Sequence, residues 1–278
     1  MLLTKYKTAN GSRWAVDGHF LPPDVNLTIL LEKPRETMLE MLERLSDDES
    51  DSGAVLSVSK SEEEAPIDPQ QEVWAAGVTY LRSRDARKAE SSVADMYQKA
   101  YEAERPEIFF KSLGWRVSGN GRPIRIRGDS HWNVPEPELV LLINCHRKIV
   151  GYCAGNDVSS RDIEGENPLY LPQAKIYNGS CALGHGILLC EPEMIQNLPI
   201  RLKIQRGNET VVNGEANTAS MKRTLPELVE FLTRELDFPQ GVFLMTGTCL
   251  VPDNFTLQAE DVVIIQVGEA KIENKVQA

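Results

Sequence analysis

Hydrophobic positions along this chain fall mostly in short runs, cut by Gly, Pro, Asn and acidic clusters. Runs of that length between turn residues predict strands. Residues 13–16 and 25–32 (VNLTILLE) read as short strands, whereas ETMLEMLERL at 36–45 has apolar positions at helical spacing. The acidic stretches SDDESDSGA and SKSEEEAPIDPQQE then read as loops, the second a linker. Residues 1–70 are therefore expected to form a small N-terminal α+β domain, and residues 71–278 the main domain.

The second part has a different texture. EVWAAGVTYL predicts a buried strand running into a loop. Residues 92–104 have a helical pattern, with Val93, Met96, Tyr97 and Ala100 on one face and Ser92 with Asp95 resembling a capping box. The charged segment 82–104 reads either as a cover over a site or as an exposed helix. Strands are expected at 107–112, at 138–144 and in KIVGYCAGNDVS, and PIRIRG alternates. PIRLKIQRG, turning at Gly207–Asn208 into ETVVNGE, predicts a hairpin, as does DVVIIQVGEAKIENKV at the end. The clearest helix is 224–236, where Thr224 and Glu227 form a capping box and Pro226 lies in the first turn. There is no βαβ rhythm and no GxGxxG or GxxxxGK[ST] loop, so the expected class is β-rich α+β.

Composition narrows the function classes. With 278 residues, a net charge of -11 and 41% apolar residues, the chain suits a soluble enzyme-sized core. Its acidity gives no general attraction to nucleic acid or to anionic membrane surfaces. The start MLLTKYKTANGSRW lacks an apolar leader-type stretch, and no run reaches membrane-spanning length. Five cysteines with no CxxC spacing fit buried free thiols in a reducing cytoplasm better than zinc ligands.

One stretch raises a chemical question. In NVPEPELVLLI, Glu136 and Glu138 lie two residues apart, on one face if this is a strand. The pair is either a wet strand entrance or half of a site for a hard divalent ion. Asp157 follows a small-residue strand and precedes Val158, Ser159 and Ser160, a place that also suits a turn or a helix cap. Lys175 sits before a turn in QAKIYNGSCALG, where a lysine is either exposed or part of a site.

Taken in order, ExE, NDVSxRD and a lysine before CxLG resemble the fumarylacetoacetate hydrolase family. The resemblance runs from Gly77 to the C-terminus through PEIFFK, EPELVLLI, VGYCAGNDVSSRD, AKIYNGSCALG, VNGE and LMTGT. It implies a mixed β-sandwich or roll and a divalent metal, commonly Mg²⁺ with Mn²⁺ or Ca²⁺ as substitutes. It further implies Glu136, Glu138 and Asp157 as metal ligands and Lys175 at the active site. Thr246, Gly247 and Thr248 would hold a substrate carboxylate. Family substrates are 2-oxo acids or related enolisable compounds, and many members are homodimers or higher homo-oligomers.

Many hydrolases of this family carry GxNYxxHxxE, whose histidine and glutamate activate water. Here GVTYLRSRDARKAE places Ser83 where that histidine would stand. None of His19, His131, His146 and His185 matches the motif, although His131 or His185 could substitute. The GVTYxxSR form resembles the sugar-acid dehydratase branch, which implies Mg²⁺-dependent dehydration of a 2-keto-3-deoxy sugar acid of the arabinonate type to a product such as 2,5-dioxopentanoate. Lys175 would be the base or a steadying cation, with Glu138 as a rival base. Tyr80, Arg82, Ser83 and Arg84 would contact substrate. The alternatives are hydrolysis of an acylpyruvate, decarboxylation of a 2-oxo acid, or a non-catalytic binding protein on the same scaffold.

Overall fold

The computed structural model describes residues 1–47, 62–82, 94–252 and 254–278. Alternate residues of a strand face opposite sides of its sheet. In the run LVLLI, Leu139, Leu141 and Ile143 join one apolar core, whereas Val140 and Leu142 join another. A strand covered on both faces has no wet side for polar residues, which accounts for the solidly apolar run.

The chain begins with a meander of β1 (Leu2–Thr8), β2 (Gly11–Val16) and β3 (His19–Phe20), followed by helices α1 (Leu27–Leu31) and α2 (Arg35–Asp47). Strand β4 (Glu62–Glu64) pairs back onto β1. Next come β5 (Glu72–Gly77), α3 (Ala94–Glu102), β6 (Glu107–Leu113), β7 (Ile124–Arg125) and β8 (Asn133–Val134). The central hairpin is β9 (Pro137–Ile143) with β10 (Ile149–Asp157). It leads through β11 (Ser159–Ser160) to short helices α4 (Arg161–Glu166) and α5 (Leu171–Lys175). The remainder is β12 (Cys181–Leu183), β13 (Ile187–Leu189), β14 (Pro199–Arg206), β15 (Glu209–Asn217), α6 (Leu225–Leu232), β16 (Val242–Thr248), β17 (Val262–Val267) and β18 (Ala270–Gln277).

Among the described residues, the large sheet has the order β3-β2-β1-β13-β10-β9-β16-β5-β6, with β12 on β10 and β4 on β1. A second sheet, β15-β14-β17-β18-β7, supplies Ile200, Leu202, Ile265 and Ile272 to the core shared with Leu139 and Leu141. Helix α6 adds Leu228, Val229 and Leu232 to that core. The opposite face of the large sheet is covered by Leu3, Trp14, Leu30, Met38 and Leu42 from the N-terminal segment. The expected boundary near residue 70 falls between β4 and β5. The two sides share a sheet through Leu2↔Leu188 and Leu3↔Ile187, and they share that second core. The result is the strand-rich α+β architecture expected, and no helix among the described residues is long and apolar enough to cross a membrane.

Two local expectations change. Residues 27–31 of the expected strand 25–32 form α1, because the Asn26 side chain accepts from Ile29 N–H at 2.9 Å and Leu27, Leu30 and Leu31 bury one helical face. Strand β1 carries no sequence expectation, because its polar Lys5 is buried: Nζ donates to Ile67 O at 2.6 Å and lies 3.5 Å from Asp68 Oδ1. The C-terminal hairpin, the β14–β15 hairpin and the α6 capping box form as expected, although α6 ends at Leu232. All five cysteines are free thiols.

His185 Nδ1 lies 2.7 Å from Glu63 Oε2, and this hydrogen bond holds the imidazole pKa above its ordinary value. A folded-state pKa above the unfolded one adds stability below about pH 6.5, and that stability is lost as pH rises through the folded pKa. The ring is half-exposed, so solvent screening limits the pair to under about 1 kcal/mol. His185→Gln should lower Tm by about 1–2 °C near pH ~5.5 and leave it almost unchanged above pH ~8, read by thermal unfolding.

Candidate active site

Antiparallel pairing sets the start of β9 beside the end of β10, with Glu138 opposite Gly155 and Pro137 opposite Asn156. Asp157 N–H donates to Glu136 O at 3.0 Å, which extends the register by one step. This brings together the carboxylates of Glu136, Glu138 and Asp157, all buried, with oxygens within 4.8 Å of one another. Three more strands contribute at the same end of the sheet. Thr248 at the end of β16 stands opposite Glu138, and Glu107 at the start of β6 stands opposite Gly77 at the end of β5.

The β16–β9 ladder slips between Met245 and Thr248. There Gly247 takes φ 99°, and its N–H donates to Glu138 Oε2 at 2.6 Å. A Cβ at Gly247 would lie 2.0 Å from Thr79 Oγ1, so the bulge requires glycine. Thr246 Oγ1 donates to Leu139 O at 2.9 Å, and Thr79 Oγ1 donates to Thr246 O at 2.7 Å. Thr246 thus pins the bulge. Thr248 lines the cavity, and its hydroxyl donates to Leu250 O at 3.2 Å.

Lys175 ends α5, and its Nζ lies 2.9 Å from both Glu136 Oε2 and Asp157 Oδ2. Arg161 Nη2 lies 3.1 Å from Glu136 Oε1. Glu138 is the strained member. Burial pushes its pKa well above the usual carboxylate range, and the neighbouring Asp157 and Glu136 add to this, against the opposing pull of Lys175 and the Gly247 N–H. Among the described residues it receives that one hydrogen bond and no ion pair. Three crowded hard oxygens with one poorly compensated charge suit a hard divalent cation.

The three carboxylates, Lys175 and Thr248 line a small, tight pocket together with Glu107, Phe109 and Glu164. A wider groove lined by Leu2, His185, Lys271 and Glu273 shares no residue with it. The sequence reading missed Glu107 and Glu164. Glu107 fills the space a Gly77 side chain would take, since a Cβ there would lie 2.1 Å from Glu107 Oε2. Glu164 accepts from Ser159 Oγ at 2.7 Å. The local signal for Glu107 was its place within PEIFFK, and for Glu164 its place two residues after NDVSSRD.

The other expected residues are placed less uniformly. Tyr80 is buried beside Cys249, and burial first, then Cys249 and Glu138, raise its pKa. Arg82 is exposed, and Ser83 and Arg84 lie outside the described residues. The expected cap at Ser92 and the start of its helix also lie outside them, and α3 occupies Ala94–Glu102. Neither His131 nor His185 lines the pocket.

Residues 72–277 match the model of the fumarylacetoacetate (FAA) hydrolase C-terminal family. The chain belongs to the fumarylacetoacetate hydrolase family. It is 46% identical over 216 residues to a probable 2-keto-3-deoxyxylonate dehydratase of Haloferax volcanii, covering 76% of this chain and 73% of that one. It is 44% identical over 210 residues to the 2-dehydro-3-deoxy-D-arabinonate dehydratase of Saccharolobus solfataricus, covering 73% and 70%. Among solved structures, it superimposes with a TM-score of 0.83 on a 2-keto-3-deoxy-D-arabinonate dehydratase complexed with magnesium and 2,5-dioxopentanoate. That structure is 33% identical, with 100% of this chain and 99% of the other covered.

Two substitutions test this geometry. Gly247→Ala should destabilise the fold by about 2 kcal/mol or more, read by denaturant unfolding, because a side chain there is both strained and crowded. Glu138→Gln should leave the fold intact and weaken Mg²⁺ binding by at least about tenfold in calorimetric titration; unchanged binding would remove Glu138 from the ligand set.

Proposed function

We propose that this protein is a Mg²⁺-dependent hydro-lyase that dehydrates a 2-keto-3-deoxy sugar acid of the arabinonate or xylonate type to a 2-oxo semialdehyde acid such as 2,5-dioxopentanoate. The observation that carries the reading is the buried triad Glu136, Glu138 and Asp157 with Lys175 ion-paired at its edge, in a chain 44% and 46% identical to two such dehydratases. A Mg²⁺ ion held by the triad would supply a hard cation for the carboxylate and keto oxygens of a 2-oxo acid, favouring negative charge at the C2 oxygen and acidifying C3.

The chain's own residues account for the other requirements. Lys175 Nζ, fixed by Glu136 and Asp157, presents an ammonium to a substrate oxygen that gains charge. Glu107, across the pocket on β6, is placed to move the proton from C3 and to protonate the C4 hydroxyl as it leaves. Glu138, accepting from Gly247 N–H beside the other two carboxylates, serves better as a ligand than as the base. Thr248 lines the wall, where a substrate carboxylate or hydroxyl can meet it, and Tyr80 backs the same end from beside Cys249. Thr246 and Gly247 act through the bulge rather than by direct contact.

The histidines bear on the hydrolase alternative. All four lie among the described residues, and none lines the pocket, so no imidazole is at hand to activate water for C–C cleavage. We further propose that the protein works in the cytoplasm as a homo-oligomer, in keeping with its free thiols.

Incubation with 2-keto-3-deoxypentonate and Mg²⁺ should yield 2,5-dioxopentanoate, and EDTA should abolish it. Lys175→Met should lower kcat by roughly 10²–10³-fold. No product above the EDTA control would sink this reading for that substrate, and release of pyruvate from an acylpyruvate would favour the hydrolase.

A further inference from the structure

A second lysine reaches the same carboxylates from behind. Glu107 and Phe109 alternate along β6, and the ladder with β5 slips at Lys111, which lies between the paired residues Phe110 and Ser112. Glu107 and Phe109 line the pocket, and Lys111 is one of the largest fully buried side chains. Its Nζ lies 2.5 Å from Asp157 Oδ1, 2.5 Å from Lys175 O and 3.2 Å from Val158 O. The two carbonyls each accept an ammonium proton, and Asp157 Oδ1 faces the same ammonium as its counter-charge.

The contact spans an unusual distance in the sheet. From β10 to β6 the order is β10-β9-β16-β5-β6, four strand steps. At about 4.8 Å per step, a flat sheet would separate them by roughly 19 Å, well beyond any side chain. The sheet therefore curls at this end, and Lys111 bridges the curl. It is also a direct tie between the two chemical groups of the site. One ammonium holds the carboxylate of Asp157 and the backbone of Lys175, while Lys175 Nζ meets Asp157 Oδ2 on the other side. With Oδ1 paired to Lys111 and Oδ2 to Lys175, the carboxylate is held from both sides within reach of Glu136 and Glu138.

We propose that Lys111 is a positioning residue of the metal site: it fixes the orientation of Asp157 toward the ion and the distance between that ligand and the Lys175 amine. The inference rests on the metal-site reading above and not on the identity of the sugar acid. A lysine that only closed the sheet would affect stability and leave ion affinity in the folded protein alone.

The test is Mg²⁺ titration by calorimetry on the whole chain without substrate, with folding checked by circular dichroism. Lys111→Met, which keeps the volume and removes the donor, should weaken Mg²⁺ binding by at least about tenfold. Lys111→Gln, which keeps a donor to Asp157, should lose less. With sugar acid at saturating Mg²⁺, kcat of Lys111→Met should stay depressed while KM changes little, because the Lys175 backbone has also lost its tie. Affinity within about threefold of the unmodified protein in folded Lys111→Met would overturn the proposal, since outer partners of metal ligands ordinarily matter more than that. Failure of both variants to fold would also overturn it, by making Lys111 a folding residue. An unmodified protein that binds no Mg²⁺ would overturn both this proposal and the metal reading. Normal Mg²⁺ behaviour without dehydration would spare this one and sink only the substrate class.

Discussion

Burying three carboxylates within 4.8 Å of one another is the constraint on which this site depends. Like charges at that separation repel strongly once water is removed, and each also loses its hydration. Positive charge must therefore come from elsewhere in the chain. Lys175 and Arg161 meet Glu136, while Lys175 and Lys111 meet Asp157. Glu138 receives only the Gly247 N–H among the described residues, and burial, with the charges of Asp157 and Glu136, holds its pKa high. The cluster is compensated unevenly, and the least compensated oxygen faces the pocket.

That arrangement is stable because the rest of the sheet is so thoroughly apolar. The N-terminal segment covers one face and the second sheet with α6 covers the other. Strands buried on both sides are rigid, close-packed supports. The ends of such strands can hold charged groups at fixed distances without a flexible loop between them. Here β9, β10, β16, β5 and β6 all bring a residue to one end, so a cluster drawn from five strands needs no long connection to assemble it.

The family scaffold and the reaction are separable. The acidic triad and Lys175 are compatible with several chemistries that begin from a chelated 2-oxo acid. Residues outside the triad choose among them. In this chain Glu107 and Glu164 also line the pocket, and among the described residues no histidine does.

Much of this was legible without coordinates. The alternation in β14, β15, β17 and β18 and the Thr224–Glu227 capping box are local patterns, and local patterns survive folding. The candidate ligands, which the structure brings together, were legible because EPE, NDVSSRD and the lysine before CALG form an ordered series, not because any one of them is distinctive. Residues 25–32 misled because a five-residue helix with one cap has too little periodicity to outweigh an apolar run. Lys5 and Lys111 drew no expectation at all, because a lysine reads as surface unless its buried acceptors are known. By itself the sequence determined the fold class, the family and the candidate ligands, since those depend on pattern and order along the chain. The tertiary structure decided that Glu107 joins the pocket and that Lys111 ties Asp157 to Lys175. Both depend on how far the sheet curls, and curling brings together residues whose separation along the chain carries no signal.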